Sequence, residues 1–283
     1  WVSPAMAAAR GIEGPPSGCG WKSLFASAET TVAAAANGGK AAVLFVDTFN
    51  GTFESENALA AARVLRAAGY TLHTLTRRAG HYCCGRTYLS TGMVGKAKGA
   101  VRELIGALVP FARNGVPIVG LEPACLLTLR DEALAMGLGD DAIAVSKQAF
   151  LFEEFAAREI RSGRFKLNLR SADAPLLVHG HCHQKAFGAV AAVLHVLRMI
   201  PGAHPELIES SCCGMAGGFG YEAEHHAISM QMAEAGLLPA VRSAPTAIVI
   251  ADGTSCRHQI FDGAQREALH AVRVLEQLLV TAP

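Results

Sequence analysis

Leu176-Leu177-Val178-His179-Gly180-His181-Cys182-His183 sets a short apolar run directly against a cluster of metal-capable side chains. The apolar triplet reads as a buried parallel strand, because such strands are covered on both faces and need no alternation. The pattern continues outward from it. A helix runs to about Met199 and a short strand follows at Glu206–Glu209. Then come Cys212-Cys213-Gly214, a helix after Gly220, and a strand at Ala247–Ala251. That strand leads into Thr254-Ser255-Cys256, and an amphipathic helix is expected over about Ala264–Leu279.

The first half shows the same order. Ala41–Val46 reads as a buried strand, and about Glu54–Ala68 as a helix with Leu59, Ala62 and Leu65 on one face and Gly69 as its stop. Tyr70–Leu75 is a second strand, ahead of Cys83-Cys84-Gly85. A helix over about Val94–Ala112, bent near Pro110, precedes a strand at Val116–Leu121. That strand enters Pro123-Ala124-Cys125, and one helix is expected from about Asp141 to Arg161.

Cys84 and Cys213 are 129 residues apart, Cys125 and Cys256 are 131 apart, and Leu44 and Leu176 are 132 apart. Three near-equal offsets imply a duplicated unit. The predicted fold class is therefore α/β, with two pseudo-symmetric repeats, each a small parallel sheet flanked by helices. Residues 1–40, rich in Gly, Pro, Ala and Ser, read as a linker or arm with little regular structure. Residues 41–174 form the first repeat and 175–283 the second. The chain opens on Trp1, so a fragment or processed product with a missing upstream part is expected.

Composition narrows the function. With 25 basic and 24 acidic side chains and no long basic block, nothing supports a nucleic-acid partner. No apolar run is long enough to span a bilayer, and Ala5–Ala9 is too short for a signal-peptide core. The expected location is the cytoplasm, with peripheral attachment at the inner membrane as the further option. Eight cysteines then stand in a reducing compartment, where structural disulfides are rare. Buried inert thiols account for a singleton such as Cys19 but poorly for two Cys-Cys-Gly triplets.

Ligands of parallel sheets sit beyond the carboxyl ends of the strands, which is where the cysteine sites fall. In the second half Cys182, Cys212, Cys213 and Cys256 can converge. Four thiolates suit a [4Fe–4S] cluster or a tetrahedral zinc ion. Gly214, Gly217 and Gly218 let the backbone approach a cofactor and offer N–H groups to it.

The repeated Cys-Cys-Gly, each followed some 40 residues later by another cysteine, resembles the cysteine-rich CCG domain. That domain occurs in the B subunit of heterodisulfide reductase, in glycolate oxidase iron–sulfur subunits, in lactate-utilisation proteins and in the C subunit of anaerobic glycerol-3-phosphate dehydrogenase. The stretches His179–His183, Ser211–Gly220 and Gly253–Gln259 are most similar to the C-terminal part of FAD-linked D-lactate or D-2-hydroxyglutarate dehydrogenases. The likeness covers about residues 41–280. It implies an electron-transfer module holding one ordinary [4Fe–4S] cluster in the second half. It also implies FAD on another domain or subunit. A ferredoxin-like iron–sulfur domain would be a partner, and a quinone or cytochrome would accept the electrons. The chain departs from the family pattern at Asn50, Thr128 and Gln259, where cysteines are expected.

Cys83, Cys84 and Cys125 stay secondary candidates, for a labile metal or as relics. His181 and His183 are further candidates, since alternate residues of a strand share a face, opposite Cys182. His179 reads rather as strand-end hydrogen bonding, and His225-His226 as surface residues. Lys185 either offsets thiolate charge or begins a helix. Gly214–Gly220 lacks the spacing of a phosphate loop, so no nucleotide or flavin site is read here. No catalytic residue is assigned. Two alternatives stand beside electron transfer: a zinc-stabilised docking module, and thiol–disulfide chemistry of the heterodisulfide reductase kind.

Overall fold

The computed structural model describes residues 22–76 and 81–280. Cys19 and the first half of the expected arm lie outside them. Contacts divide the described chain between Leu167 and Asn168 into two compact units.

The first unit is built on β1 (Ala41–Phe45), buried at every position as its unbroken apolar sequence requires. It lies parallel to β2 (Thr71–Thr74) and β3 (Ile118–Gly120), and β3 pairs in parallel with β4 (Ala149–Leu151), giving the order β2-β1-β3-β4. The helices are α1 (Ala28–Ala36), α2 (Thr48–Thr52), α3 (Ser55–Ala67), α4 (Arg86–Ser90) and α5 (Val94–Arg113). They continue with α6 (Pro123–Thr128), α7 (Glu132–Ala135), α8 (Asp140–Gln148) and α9 (Phe152–Arg161). Gly69, at φ +88°, stops α3 as expected. On α5, Val101, Leu104, Ile105 and Leu108 form the buried face, the i, i+3, i+4, i+7 spacing of a core-facing helix.

Two expectations are corrected here. The stretch read as a featureless arm contains α1, capped by Ser27 and anchored by buried Thr31; its alanine run carries helix propensity that its small residues disguise. The single helix expected over 141–161 is two helices with β4 between them. Three residues are too few to show strand alternation, and pairing with β3 overrides the helical pattern on either side.

The second unit repeats the plan. Central β5 (Leu176–His179) lies parallel to β6 (Glu206–Leu207) and β7 (Ile248–Ala251), and β7 to β8 (Ala268–Leu269), in the order β6-β5-β7-β8. Its helices are α10 (Cys182–Ala186), α11 (Val190–Leu197), α12 (His226–Glu234), α13 (Leu237–Ser243), α14 (Thr254–Ala264) and α15 (Ala271–Leu278). The final helix is shorter than expected, because β8 occupies its predicted start and His270 caps it afresh, accepting from the Val272 N–H at 3.1 Å. An antiparallel bridge between Leu169 and Leu279 ties the end of this unit to its beginning. The α/β reading with two small parallel sheets flanked by helices therefore holds.

Candidate metal centre

Three strands of the second unit deliver its four cysteines. Cys182 is the first residue of α10, just beyond β5; Cys212 and Cys213 follow β6; Cys256 lies in the first turn of α14, just beyond β7. All therefore stand at the carboxyl edge of one parallel sheet. Leu177, Ile208, Val249 and Ala251 pack with Cys213, Met215 and Cys256 in the core beneath.

The turns that carry them are cross-braced. Gln184 on α10 donates to the Asp252 carboxylate at 2.7 Å and, through its amide oxygen, accepts from the His181 N–H at 3.0 Å. Asp252 also accepts from the Ala271 N–H at 3.0 Å. Arg257, buried, donates to the Ala251 carbonyl at 2.7 Å and to the Thr254 hydroxyl at 3.1 Å. Lys185 donates to the carbonyls of Ser210 and Ser211. It thus holds the backbone just ahead of Cys212.

Cys213 and Cys256 are buried, with their sulfurs 3.4 Å apart; Cys182 and Cys212 are half-exposed. Thiol contacts run on from Cys182 to Cys212 and from Cys212 to Cys213. The thiols of this set are shifted in different directions. The contact with Cys212, then burial, pushes the Cys182 thiol up. Contacts with Cys182 and Cys213, helped by backbone N–H groups, pull Cys212 far down. The Cys213 thiol is raised by its two sulfur neighbours, and Cys256 is lowered by Cys213 and by the nearby histidines. Neighbouring thiols share protons and titrate as a set.

The Cys-Cys-Gly loop is a left-handed turn. Gly214 takes φ +91°, and a Cβ there would collide with the Ser229 carbonyl oxygen. Only glycine fits both demands. Its N–H donates to Cys212 Sγ at 3.3 Å. Ala216 and Gly217 also have positive φ, at 41° and 71°. Gly218 has neither positive φ nor a crowding neighbour, so nothing in the structure requires glycine there.

The strand argument for the histidines fails. β5 ends at His179, and His181 instead caps α10, its Nδ1 accepting from the His183 N–H at 3.1 Å. His181 and His183 stack at 5.2 Å and bring their Nδ1 atoms to 3.8 and 3.6 Å from Cys182 Sγ, beside that thiol rather than opposite it. Burial lowers the His181 pKa and keeps the ring neutral. His179, ranked below them from sequence, is the histidine grouped with Cys213 and Cys256.

In the first unit, Cys84 and Cys125 are buried and Cys83 is half-exposed, with the Gly85 N–H donating to Cys83 Sγ at 3.3 Å, as Gly214 does to Cys212. The titration differs. Cys84 raises Cys83, and Cys125 raises Cys84. A hydrogen bond from Cys84 lowers Cys125, but burial and the Asp47 and Glu122 carboxylates outweigh it and push it up to about 12. All three stay protonated thiols at neutral pH. The residues in the three departing positions are committed to local bonds. Asn50 donates to Asp47 at 2.7 Å and accepts from Asn57 at 3.1 Å; Thr128 donates to the Ala124 carbonyl at 2.8 Å; Gln259 donates to the Ser229 carbonyl at 3.1 Å.

Soft sulfur donors with imidazoles beside them form a set compatible with an iron–sulfur cluster.

Residues 177–261 match the family described as CCG, cysteine-rich domain. The chain is 26% identical over 224 residues to the C subunit of anaerobic glycerol-3-phosphate dehydrogenase from Escherichia coli K12, covering 77% of this chain and 54% of that protein. It is 26% identical over 197 residues to the D-2-hydroxyglutarate dehydrogenase of the same strain, covering 69% of this chain and 19% of that one. The Pantoea ananatis D-2-hydroxyglutarate dehydrogenase is 27% identical over 172 residues, covering 59% and 16%. The chain thus spans about half of the first relative and less than a fifth of the others. The resemblance read from the repeated Cys-Cys-Gly stands, with residues 177–261 of the second unit matching the cysteine-rich CCG family.

Proposed function

We propose that this chain is the iron–sulfur electron-transfer module of a flavin-linked dehydrogenase. Cys182, Cys212, Cys213 and Cys256 would hold the cluster, of [4Fe–4S] type. The observation that carries this reading is their delivery by three strands to one sheet edge, with Cys213 and Cys256 Sγ 3.4 Å apart. When bound, the cluster supplies one-electron chemistry. The chain's own part is to ligate it, to donate N–H groups of the Gly214 loop to sulfur, and to exclude water from the inner pair.

Substrate oxidation belongs to FAD on another domain or subunit. The relatives' names point to D-2-hydroxyglutarate and glycerol 3-phosphate, both secondary alcohols, so the substrate class is a secondary alcohol. D-Lactate and D-2-hydroxyglutarate fall within that class; glycolate, a primary alcohol, falls outside it. A ferredoxin-like domain and a quinone or cytochrome acceptor complete the relay. Among the described residues no helix is long and apolar enough to cross a membrane.

Anaerobic purification, followed by iron, sulfide and zinc analysis and by EPR of the reduced protein, tests the reading. About four irons and four sulfides per chain with a reducible signal support it. One zinc and no iron would instead establish the structural alternative, which has its own support: the compact His179–Cys213–Cys256 group is of a size for a single tetrahedral ion.

A further inference from the structure

His179 is the last residue of the central strand β5, paired with Ala251 of β7, and it is 1% exposed. Its two ring nitrogens have different surroundings. Nδ1 lies 3.0 Å from the Ser210 hydroxyl. Nε2 is buried and has no nitrogen or oxygen partner, while the ring's contact with Cys256 lowers that thiol. A buried polar atom left unpaired costs about 1–3 kcal/mol, so it calls for a reason.

The reason lies in what surrounds it. The donor atoms of His179, Cys213 and Cys256 all fall within 4.8 Å of one another, and all three residues are buried. A metal-ligating histidine characteristically hands its other ring N–H to an oxygen acceptor, which fixes the ring and leaves the bare nitrogen for the metal. Ser210 provides that acceptor. Ser210 is in turn held in place because its own carbonyl accepts from Lys185. His181 has no such freedom at Nδ1, which is occupied by the His183 N–H.

We infer that His179 is a metal ligand of this centre, binding through Nε2 beside Cys213 and Cys256, so that the coordination mixes imidazole with thiolate. The inference rests on the reading that the second unit holds a metal, and it applies whether that metal is iron or zinc. It divides the donors into an inner set of three on or beside the sheet and an outer pair, Cys182 and Cys212, on the half-exposed side.

The test is X-ray absorption at the K-edge of whichever metal the anaerobically purified full chain contains, iron or zinc. The expected shell includes one imidazole per metal centre, seen by its multiple scattering. That contribution should vanish in His179→Ala and His179→Cys and persist in His204→Gln, whose imidazole is exposed. His179→Cys offers a sulfur donor at the same strand end and should keep its metal, so a folding failure of the alanine variant does not decide the matter. For an iron-loaded protein, pulsed EPR of the reduced wild type labelled with ¹⁵N-histidine needs no variant at all and should show a directly bound nitrogen. A loaded centre with sulfur donors alone, or an imidazole signal that survives in both His179 variants, overturns the inference and leaves the metal reading intact. A chain that takes up neither iron nor zinc on anaerobic reconstitution overturns the metal reading, and this one with it.

Discussion

The sulfur atoms of Cys213 and Cys256 lie 3.4 Å apart, although 43 residues separate them in sequence. β6 and β7 both run parallel to β5 and so end at the same sheet edge, and this brings the two thiols together. Replacing either with serine should therefore reduce the iron or zinc content of anaerobically prepared protein several-fold. Cys83→Ser and Cys125→Ser should reduce it far less, because their unit supplies three thiols with no fourth sulfur at Asn50 or Thr128. Metal analysis of the four variants decides the point. Full metal in the Cys213 and Cys256 variants, with loss in the other two, would move the centre to the first unit.

Gly214 and Gly217 both have positive φ but differ in surroundings. Gly217→Ala meets open space and should cost about 1 kcal/mol, the ordinary penalty for a side chain in that region. Gly214→Ala adds a collision with the Ser229 carbonyl, a backbone atom that cannot swing away. It should cost about 3 kcal/mol or more and loosen the loop that donates to Cys212. Thermal unfolding of the two variants measures the difference; equal penalties would contradict the geometry.

Tyr70 donates to Glu159 at 2.7 Å in the first unit. Burial, then this hydrogen bond, holds the phenol far above its ordinary value of 10. Folding thus favours the protonated form. Its contribution is complete below about pH 10, the unfolded-chain value, and is lost as pH rises through the higher folded-state value. Tyr70→Phe should lose about 1–2 kcal/mol at pH 7 and show a shallower fall in stability above pH 10 than the wild type. Urea midpoints from pH 7 to 11 test both statements.

Cys83 and Cys212 are comparably placed, each half-exposed and each accepting from the glycine N–H two residues on. Their titration runs in opposite directions, with Cys83 pushed up by Cys84 and Cys212 pulled down by Cys182 and Cys213. In metal-free protein at pH 7, iodoacetamide should label Cys212 at least about tenfold faster than Cys83, because the thiolate is the nucleophile. Peptide mapping by mass spectrometry gives the ratio. Comparable rates would show that the two loops are electrostatically alike.

The parallel sheets were legible because Ala41–Phe45 and Leu176–Val178 are unbroken apolar runs, each ahead of chemistry-bearing residues. The equal spacing of the Cys-Cys-Gly triplets exposed the duplication before any contact was known. β4 and β8 were not legible. They are three and two residues long, they abut helices, and only pairing with β3 and β7 makes them strands. The histidines were expected to share one strand face because the strand was carried past His179. A sequence pattern can show that three histidines alternate; it cannot show that the chain turns into a helix between the first and the second. Nor could it show that Nδ1 of His181 is spent on a helix cap while Nε2 of His179 is left bare.

The division of the four sulfurs into a buried pair and a half-exposed pair also predicts which thiols oxidise first in air. Cys182 and Cys212 should oxidise ahead of Cys213 and Cys256, because oxidation follows exposure and thiolate character. A sulfenic acid formed on Cys212 stands in contact with the Cys182 thiol, and the two condense to a disulfide with loss of water. That product is reversible by a thiol reductant, whereas further oxidation to sulfinic acid is not. Protein prepared in air should therefore regain its metal-binding capacity when reductant is supplied before iron.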